Sequence, residues 1–579
     1  MTIEAPNAET EIEHRGPDPA YPDVRETASL PLLAVNGASP ARPDAHDEPL
    51  LHVRNIQGNV VAGFNKDFQT LLFLRIDDVR SFKAWLGDFR PLVATAEEVL
   101  AFNRLFKRTS DRRGYSGTVK ASWINIAFTH AALAKLTDDA DAFADASFRS
   151  GVVAQSAALG DPSSPRAEGH PDRWLVRDGE DGAHVLIIVA ADTLADLEVE
   201  VGRVEELVFS PRRKGRRVRS GASIVFKQEG RTQLGTLAGH EHFGFLDGIS
   251  QPGLRGRISH WSHDVLTPRQ NPDDLDQGKP GQDLLWPGEF VFGYPGQSAD
   301  RKVTEPGFDS LTDGAGHAVV PRWAADGSYL VFRRLRQDVH AFHSFLHAQA
   351  APLGLTPAGL GARLVGRWSS GAPTMRAPDA DDPKLGDNDC ANNNFEFMEA
   401  TPPTRQPKGR HQCSDTTFPP SRGDPGGDRC PFAAHIRKSY PRDDLNDEDD
   451  DDERKAQTHR LLRRGIPFGP SSRSTPAVPV DDDIDRGLLF MAYMTSIVDQ
   501  FEFVTKRFVN AADFKAPNAG IDPIIGQAET EDGDRRRTFT VRVGGVDREL
   551  TAPRDFVVPT GGGYFFAPSL RAIKEVLSK

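Results

Sequence analysis

The feature that most limits the folds open to this chain is a unit that occurs twice. Residues 68–76 (FQTLLFLRI) have strand character and run straight into Asp77-Asp78, after which Val79, Phe82, Trp85 and Leu86 follow at helical spacing. Residues 329–335 do the same, with Asp338 as the acidic residue and Val339, Phe342, Phe345 and Leu346 at the same offsets. A carboxylate at that point accepts hydrogen bonds from the free N–H groups of the first helical turn, so strand, cap and amphipathic helix form one predicted unit. Residues 184–191 leading to Leu194, Leu197, Val201, Val204 and Val208 make a third, and residues 123–128 before the capping Thr129 a fourth. Such repetition predicts a duplicated α+β domain, with antiparallel sheets covered by helices on one face and the halves joined near residue 320.

A chain of 579 residues accommodates two or more such domains, and 38% hydrophobic with 26% charged residues is the balance of a soluble globular protein. The longest apolar runs, 185–191 and 487–493, fall far short of the ~18 residues of a membrane span. Residues 1–48 show no apolar period and read as a disordered or loosely docked arm, residues 376–429 as a stretch without regular structure, and NDEDDDDE at 446–453 as a solvated run inside an acidic loop, 443–456. The expected division is therefore an N-terminal domain over 49–320 and a C-terminal domain over 321–579. A net charge of −13 argues against nucleic acid as a partner, and the basic cluster at 212–219 reads as a solvated loop. The N-terminus lacks a basic region followed by an apolar stretch, and Cys390, Cys413 and Cys430 are too few for a disulfide framework, which together predict a cytoplasmic protein without membrane contact.

Three segments carry residues suited to chemistry. Residues 239–252 read GHEHFGFLDGISQP and set Asp247 among Phe243, Phe245, Leu246 and Ile249, where an apolar enclosure would raise the proton affinity of a carboxylate. Residues 430–442 read CPFAAHIRKSYPR: His435 follows the small Ala433 and Ala434 and precedes Arg437, Lys438 and Arg442. A haem site needs one imidazole on iron, small neighbours beside the ring plane and cations for the propionates, with Arg437, Lys438 and Arg442 as candidates for the last. Residues 461–470 read LLRRGIPFGP and put two arginines before a rigid turn.

In this order, these segments resemble the signatures of the dye-decolorizing peroxidases: the GxxDG motif, the axial-histidine segment and the distal-arginine segment. Residues 55–73 (NIQGNVVAGFNKDFQTLLF), 487–503 (GLLFMAYMTSIVDQFEF), 522–526 (DPIIG) and 562–570 (GGYFFAPSL) are similar to the family as well, most of all to its larger cytoplasmic branches. The long acidic insertion after His435 and the N-terminal arm depart from the pattern. The resemblance implies two ferredoxin-like domains, with haem b (iron protoporphyrin IX) bound mainly by the second, and a peroxidase that reduces hydrogen peroxide while oxidising dyes, phenols or other organic reductants. It implies His435 as the iron ligand, Asp247 as the distal acid–base residue, Arg463 as the distal cation (four residues before Pro467) and Asp522 as the acceptor of a hydrogen bond from His435.

Other readings compete with this one. A non-haem metal enzyme would draw on His240, Glu241 and His242, or on His340, His343 and His347 along one helix. Cys430 is an alternative, thiolate ligand to haem. A non-enzymatic haem-binding or iron-handling protein would have no use for an Asp–Arg pair.

Overall fold

The computed structural model of the chain describes residues 48–110, 120–213, 215–269, 276–297, 310–312, 318–402, 416–445, 452–529 and 533–579. Nearly all of the expected N-terminal arm, the core of the acidic run (446–451) and Cys413 lie outside them. The elements that frame the fold are β1 (Phe68–Ile76), α1 (Val79–Phe89), β2 (Ser122–Phe128), β3 (Val185–Ala191), α2 (Leu194–Phe209), β4 (Ala222–Arg231), β5 (Ser328–Gln337), α3 (Val339–Ala350), α4 (His435–Ser439), β6 (Gly487–Met494) and β7 (Val557–Ala567). The caps form as their side chains dictate: Asp78 accepts from the Ser81 N–H, Thr193 from Asp196 and Asp338 from Ala341.

The main sheet runs Leu462–Arg463, β6, β5, β7, β2, β3, β1, β4, with neighbouring strands antiparallel, and Ile466–Phe468 adds a second pairing to β6. Each half has its strands in the same spatial order: second, third, first, fourth. In the first half this is β2-β3-β1-β4; in the second, 462–468, β6, β5 and β7. These are the duplicated α+β units that the repeated strand–cap–helix pattern predicts, in the ferredoxin-like form that the resemblance implies. They meet along the sheet where Phe566 stands opposite Phe128, and Val176 and Arg177 of the first half also pair in parallel with Gly561 and Gly562 of β7. The outer strands approach one another as well: a Cβ on Gly230 of β4 would lie 2.7 Å from Ile466, and Arg334 donates to Gln228 at 2.8 Å. Among the described residues no backbone ladder closes this seam.

Alternation along the strands sorts the core. Leu72, Leu74 and Ile76 of β1 join Phe82, Trp85 and Leu86 of α1 in one buried cluster, whereas Leu71 and Phe73 face a second one with Leu186, Ile188, Phe332 and Met491. The NIQGN segment clasps the halves together: Gln57 donates to Ile126 O and Pro568 O, and Asn55 accepts from the backbone of Leu570 and Arg571.

The described part of residues 376–429 holds its shape without strands. Where described, this stretch is irregular but packed, with Phe395 and Phe397 at most 1% exposed. Carboxylates take the place of a ladder. Asp443 accepts from the N–H groups of Phe397, Met398 and Glu399, and Asp424 from those of Asp428, Arg429 and Cys430. The Asp- and Asn-rich composition that suggested a loop supplies the hydrogen bonds that fix it. Of the acidic loop, Asp452–Gln457 is a short helix, and the basic cluster forms a small hairpin of Arg212–Arg213 with Arg216–Arg217.

α3 ties this frame to the site. Phe342 is fully buried, with ring centroids 4.5 Å from Phe243 and 5.3 Å from Phe556. Phe342→Ala is expected to destabilise the fold by about 3–5 kcal/mol, read as a lowered urea midpoint at unchanged slope.

Candidate functional site

A cavity of about 310 Å³ opens where the second unit's sheet faces the segments around His435 and Asp247. Its sheet wall follows from register: Arg333, Leu335 and Gln337 of β5 share one face, Phe490 and Leu488 stand opposite the first two on β6, and Pro559 and Val557 opposite the last two on β7. The first unit contributes Leu159, Asp161, Glu241, Phe243 and residues 245–250.

His435 opens α4, a five-residue helix too short to hold itself, so buried side chains anchor it. The Arg437 guanidinium donates to Asp444 at 2.6 Å and to the carbonyls of Asp424 and Cys430, and it stacks on Phe432 and Phe397. Lys438 donates to the carbonyls of Ala511 and Phe514. Neither residue is part of the cavity wall. Arg437 and Lys438, expected as propionate partners, instead brace the helix so that His435 faces the cavity.

The His435 ring donates from Nδ1 to Asp522 Oδ2 at 2.7 Å, and Asp522 is fully buried. The other carboxylate oxygen accepts from the N–H groups of Ile524 (2.7 Å) and Ile525 (3.1 Å), which locks its orientation. Burial disfavours a charged His435 ring, but the charge of Asp522 and its hydrogen bond outweigh burial and leave the pKa raised. With Nδ1 engaged, Nε2 is the nitrogen that remains for the cavity. Loss of this carboxylate has a readable consequence: Asp522→Asn is expected to weaken metal affinity or activity about 10- to 100-fold, measured by haem titration and peroxide turnover.

Asp247 and Arg463 line the same cavity, 3.3 Å apart. Gly244 (φ +93°) and Gly248 (φ +80°) allow the turn that presents Asp247, whose Oδ1 also accepts from the Gly248 N–H at 2.6 Å. The apolar residues expected around Asp247 stand with it on the cavity wall: Phe243, Phe245, Leu246 and Ile249 all line it. Phe243 and Phe245 pack on Phe342, and the Asp247 side chain stands 42% exposed beside Arg463. The enclosed acid is Glu241, missed as a carboxylate of this wall. Burial pushes its pKa up to about 7, and it accepts from Phe243 N–H and Phe245 N–H (2.8 Å each) and from Gln337, which staples the turn. Of the arginine pair, Arg464 points elsewhere and donates to the carbonyls of Asn59, Val60 and Val61.

The donor set suits haem. It combines an imidazole with one nitrogen free, apolar walls from Leu335, Leu488, Phe490 and Ile436, and buried cations. Arg442 lines the cavity as expected; Arg367 does so too and escaped the sequence reading. Arg367 donates to Gly371 O, Asn392 O and Asn393 Oδ1, and no carboxylate pairs with it among the described residues. Burial, followed by the neighbouring charge of Arg442, lowers its pKa to about 9, so an anionic group here meets uncompensated positive charge. Its only sequence signal is a place just after Gly366, where an arginine ordinarily serves the end of a helix.

The rival ligand sets do not converge. His343 binds Ser474 Oγ and Phe243 O, His242 binds Phe468 O, and His240 binds the carbonyls of Ala238 and Ser369. Among the described residues no group of three His, Cys, Asp or Glu is arranged to hold a metal ion. Cys430 is buried off the cavity wall, and burial raises its thiol pKa to about 12, which opposes a thiolate. Cys390 is disulfide-bonded, a state kept in oxidising compartments, so cysteine usage no longer argues for the cytoplasm. No helix among the described residues is long and apolar enough to cross a membrane.

Comparison with known proteins adds independent support. Residues 55–229 match the DyP dimeric alpha+beta barrel domain. A dye-decolorizing peroxidase of Mycena epipterygia is 32% identical over 96% of this chain and 93% of its own length. The structure of an ancestral D-type dye-decolorizing peroxidase aligns with a TM-score of 0.69 at 32% identity, covering 92% of this chain and all of that one. A dye-decolorizing peroxidase in complex with 2,6-dimethoxyphenol aligns at 0.66 and 28% identity, over 92% of this chain and all of that one. The repeated fold, the cavity and these likenesses agree: the chain belongs to the dye-decolorizing peroxidases, a family of haem peroxidases.

Proposed function

We propose that the cavity holds haem b on His435 Nε2, and that the protein reduces hydrogen peroxide with electrons from phenols, dyes or similar organic reductants. The observation that carries this reading is the His435–Asp522 dyad facing a cavity that also contains the Asp247–Arg463 pair. Haem, when bound, would supply the redox chemistry that carries electrons from the reductant to peroxide. The chain supplies the rest. Asp522 fixes the His435 tautomer and makes Nε2 a stronger donor. Asp247 takes the proton from one peroxide oxygen and returns it to the other as the O–O bond breaks, and Arg463 stabilises the negative charge on the departing oxygen. Arg367 and Arg442 hold the propionates, in place of Arg437. The working division of the chain is 49–320 and 321–579, with the second domain carrying most of the site.

The likeness to a peroxidase complexed with 2,6-dimethoxyphenol supports a phenol as reductant. The test is oxidation of 2,6-dimethoxyphenol by the haem-loaded protein. Turnover that requires both peroxide and haem is expected; haem-loaded protein that leaves both the phenol and a reactive dye unoxidised would overturn the reading.

A further inference from the structure

A cavity in which a strong oxidant forms exposes its walls to oxidation. Tryptophan, tyrosine, methionine and cysteine are the side chains that yield an electron readily, and among the described residues Tyr440 is the one of these lining the cavity. Its aromatic neighbours there are phenylalanines and histidines, which are much harder to oxidise.

Tyr440 has surroundings that suit such a role. Its hydroxyl donates to Asp283 Oδ2 at 2.7 Å, and Asp283 is only 6% exposed. The Arg460 guanidinium lies over the ring, 3.7 Å from the centroid, and sits 3.6 Å from the same Asp283 oxygen. Oxidation of a phenol releases its proton, so a carboxylate already holding that proton in a hydrogen bond gives it a defined destination. The cation on the ring face disfavours loss of an electron and so makes the oxidised residue a stronger oxidant towards substrate. Burial, with the charge of Asp283, holds the hydroxyl pKa well above the ordinary value, so the proton does not leave before the electron.

We propose that Tyr440 is a redox relay that passes electrons from an organic reductant to the haem, with Asp283 as its proton acceptor. In the first step the Tyr440 O–H bond breaks, one electron goes to the peroxide-oxidised cofactor and the proton goes to Asp283. In the second, a phenol or aromatic amine gives one electron to the tyrosyl radical, Asp283 returns its proton to the tyrosine oxygen, and the oxidised substrate releases its own proton to water. The relay rests on the haem reading above.

The test uses the haem-loaded full chain given peroxide without reductant, with two readouts other than turnover: electron paramagnetic resonance, and mass spectrometric mapping of a nitroso spin-trap adduct. The wild type is expected to give a tyrosyl signal and an adduct on Tyr440, and Tyr440→Phe to lose both while keeping its Soret band. Asp283→Asn is expected to lower the radical yield severalfold. A signal unchanged in Tyr440→Phe, or an adduct confined to other residues, would overturn the relay while the haem reading stands. A radical yield unchanged in Asp283→Asn would remove Asp283 as acceptor. Absence of a Soret band in the wild type would overturn both readings together.

Discussion

His435→Ala is expected to abolish stable haem binding, with the Soret band of the purified protein falling to background and millimolar imidazole partly restoring it. The magnitude follows from the way the site is built. The imidazole has a fixed tautomer, because Nδ1 is committed to a fully buried carboxylate that two backbone N–H groups hold in turn. A ligand fixed this way has little conformational freedom left to lose on binding metal. The wall offers no substitute of equal quality. Cys430 lies outside it with its thiol pKa raised to about 12, and the other cavity histidine, His459, is stacked on Phe503 at 3.7 Å and bonded to Asp499 O. A Soret band of wild-type intensity in the variant would mean that another residue binds the iron. Urea unfolding separates loss of ligand from loss of fold, because α4 remains anchored by Arg437 and Lys438 in either case.

The second large effect concerns peroxide. Arg463→Leu is expected to slow its reaction by about 10²- to 10³-fold, since it removes the charge placed where negative charge develops. Asp247→Asn removes the proton carrier and is expected to slow the same step by about 10²- to 10⁴-fold. Both variants should still bind haem, because neither residue contacts the His435–Asp522 dyad. The two losses should also be less than additive, since the residues lie 3.3 Å apart and act on one bond. Stopped-flow mixing with peroxide measures the step directly. Wild-type rates in both variants would remove the pair from the chemistry, and loss of haem in either would assign it to binding instead.

Much of this arrangement was legible in the chain because it is written in short-range patterns. The strand–cap–helix units at Asp78 and Asp338 use local chemistry, so their form and their duplication could be read directly. The order of the segments bearing Asp247, His435 and Arg463 pointed to one site, and the fold brings all three to one cavity. What escaped depended on distant parts of the chain. Arg437 looked free for a propionate because its partners, Asp424 and Asp444, offer no periodic cue. Phe243 and Phe245 read as neighbours of Asp247, but their packing on α3, a hundred residues on, has no local cue. Arg367 and Tyr440 become cavity residues only when the Asn-rich stretch around Asn393 folds onto Arg367 and Arg442, and that stretch is held by carboxylates rather than by any pattern of hydrophobicity.

Titration of the haem-free chain with haemin asks whether one haem binds in this cavity through His435. Saturation at one haemin per chain, a Soret band typical of histidine-ligated ferric haem and a pyridine haemochrome spectrum of protoporphyrin IX are expected. A chain that takes up no haemin, or takes it up equally well as His435→Ala, would contradict binding through His435.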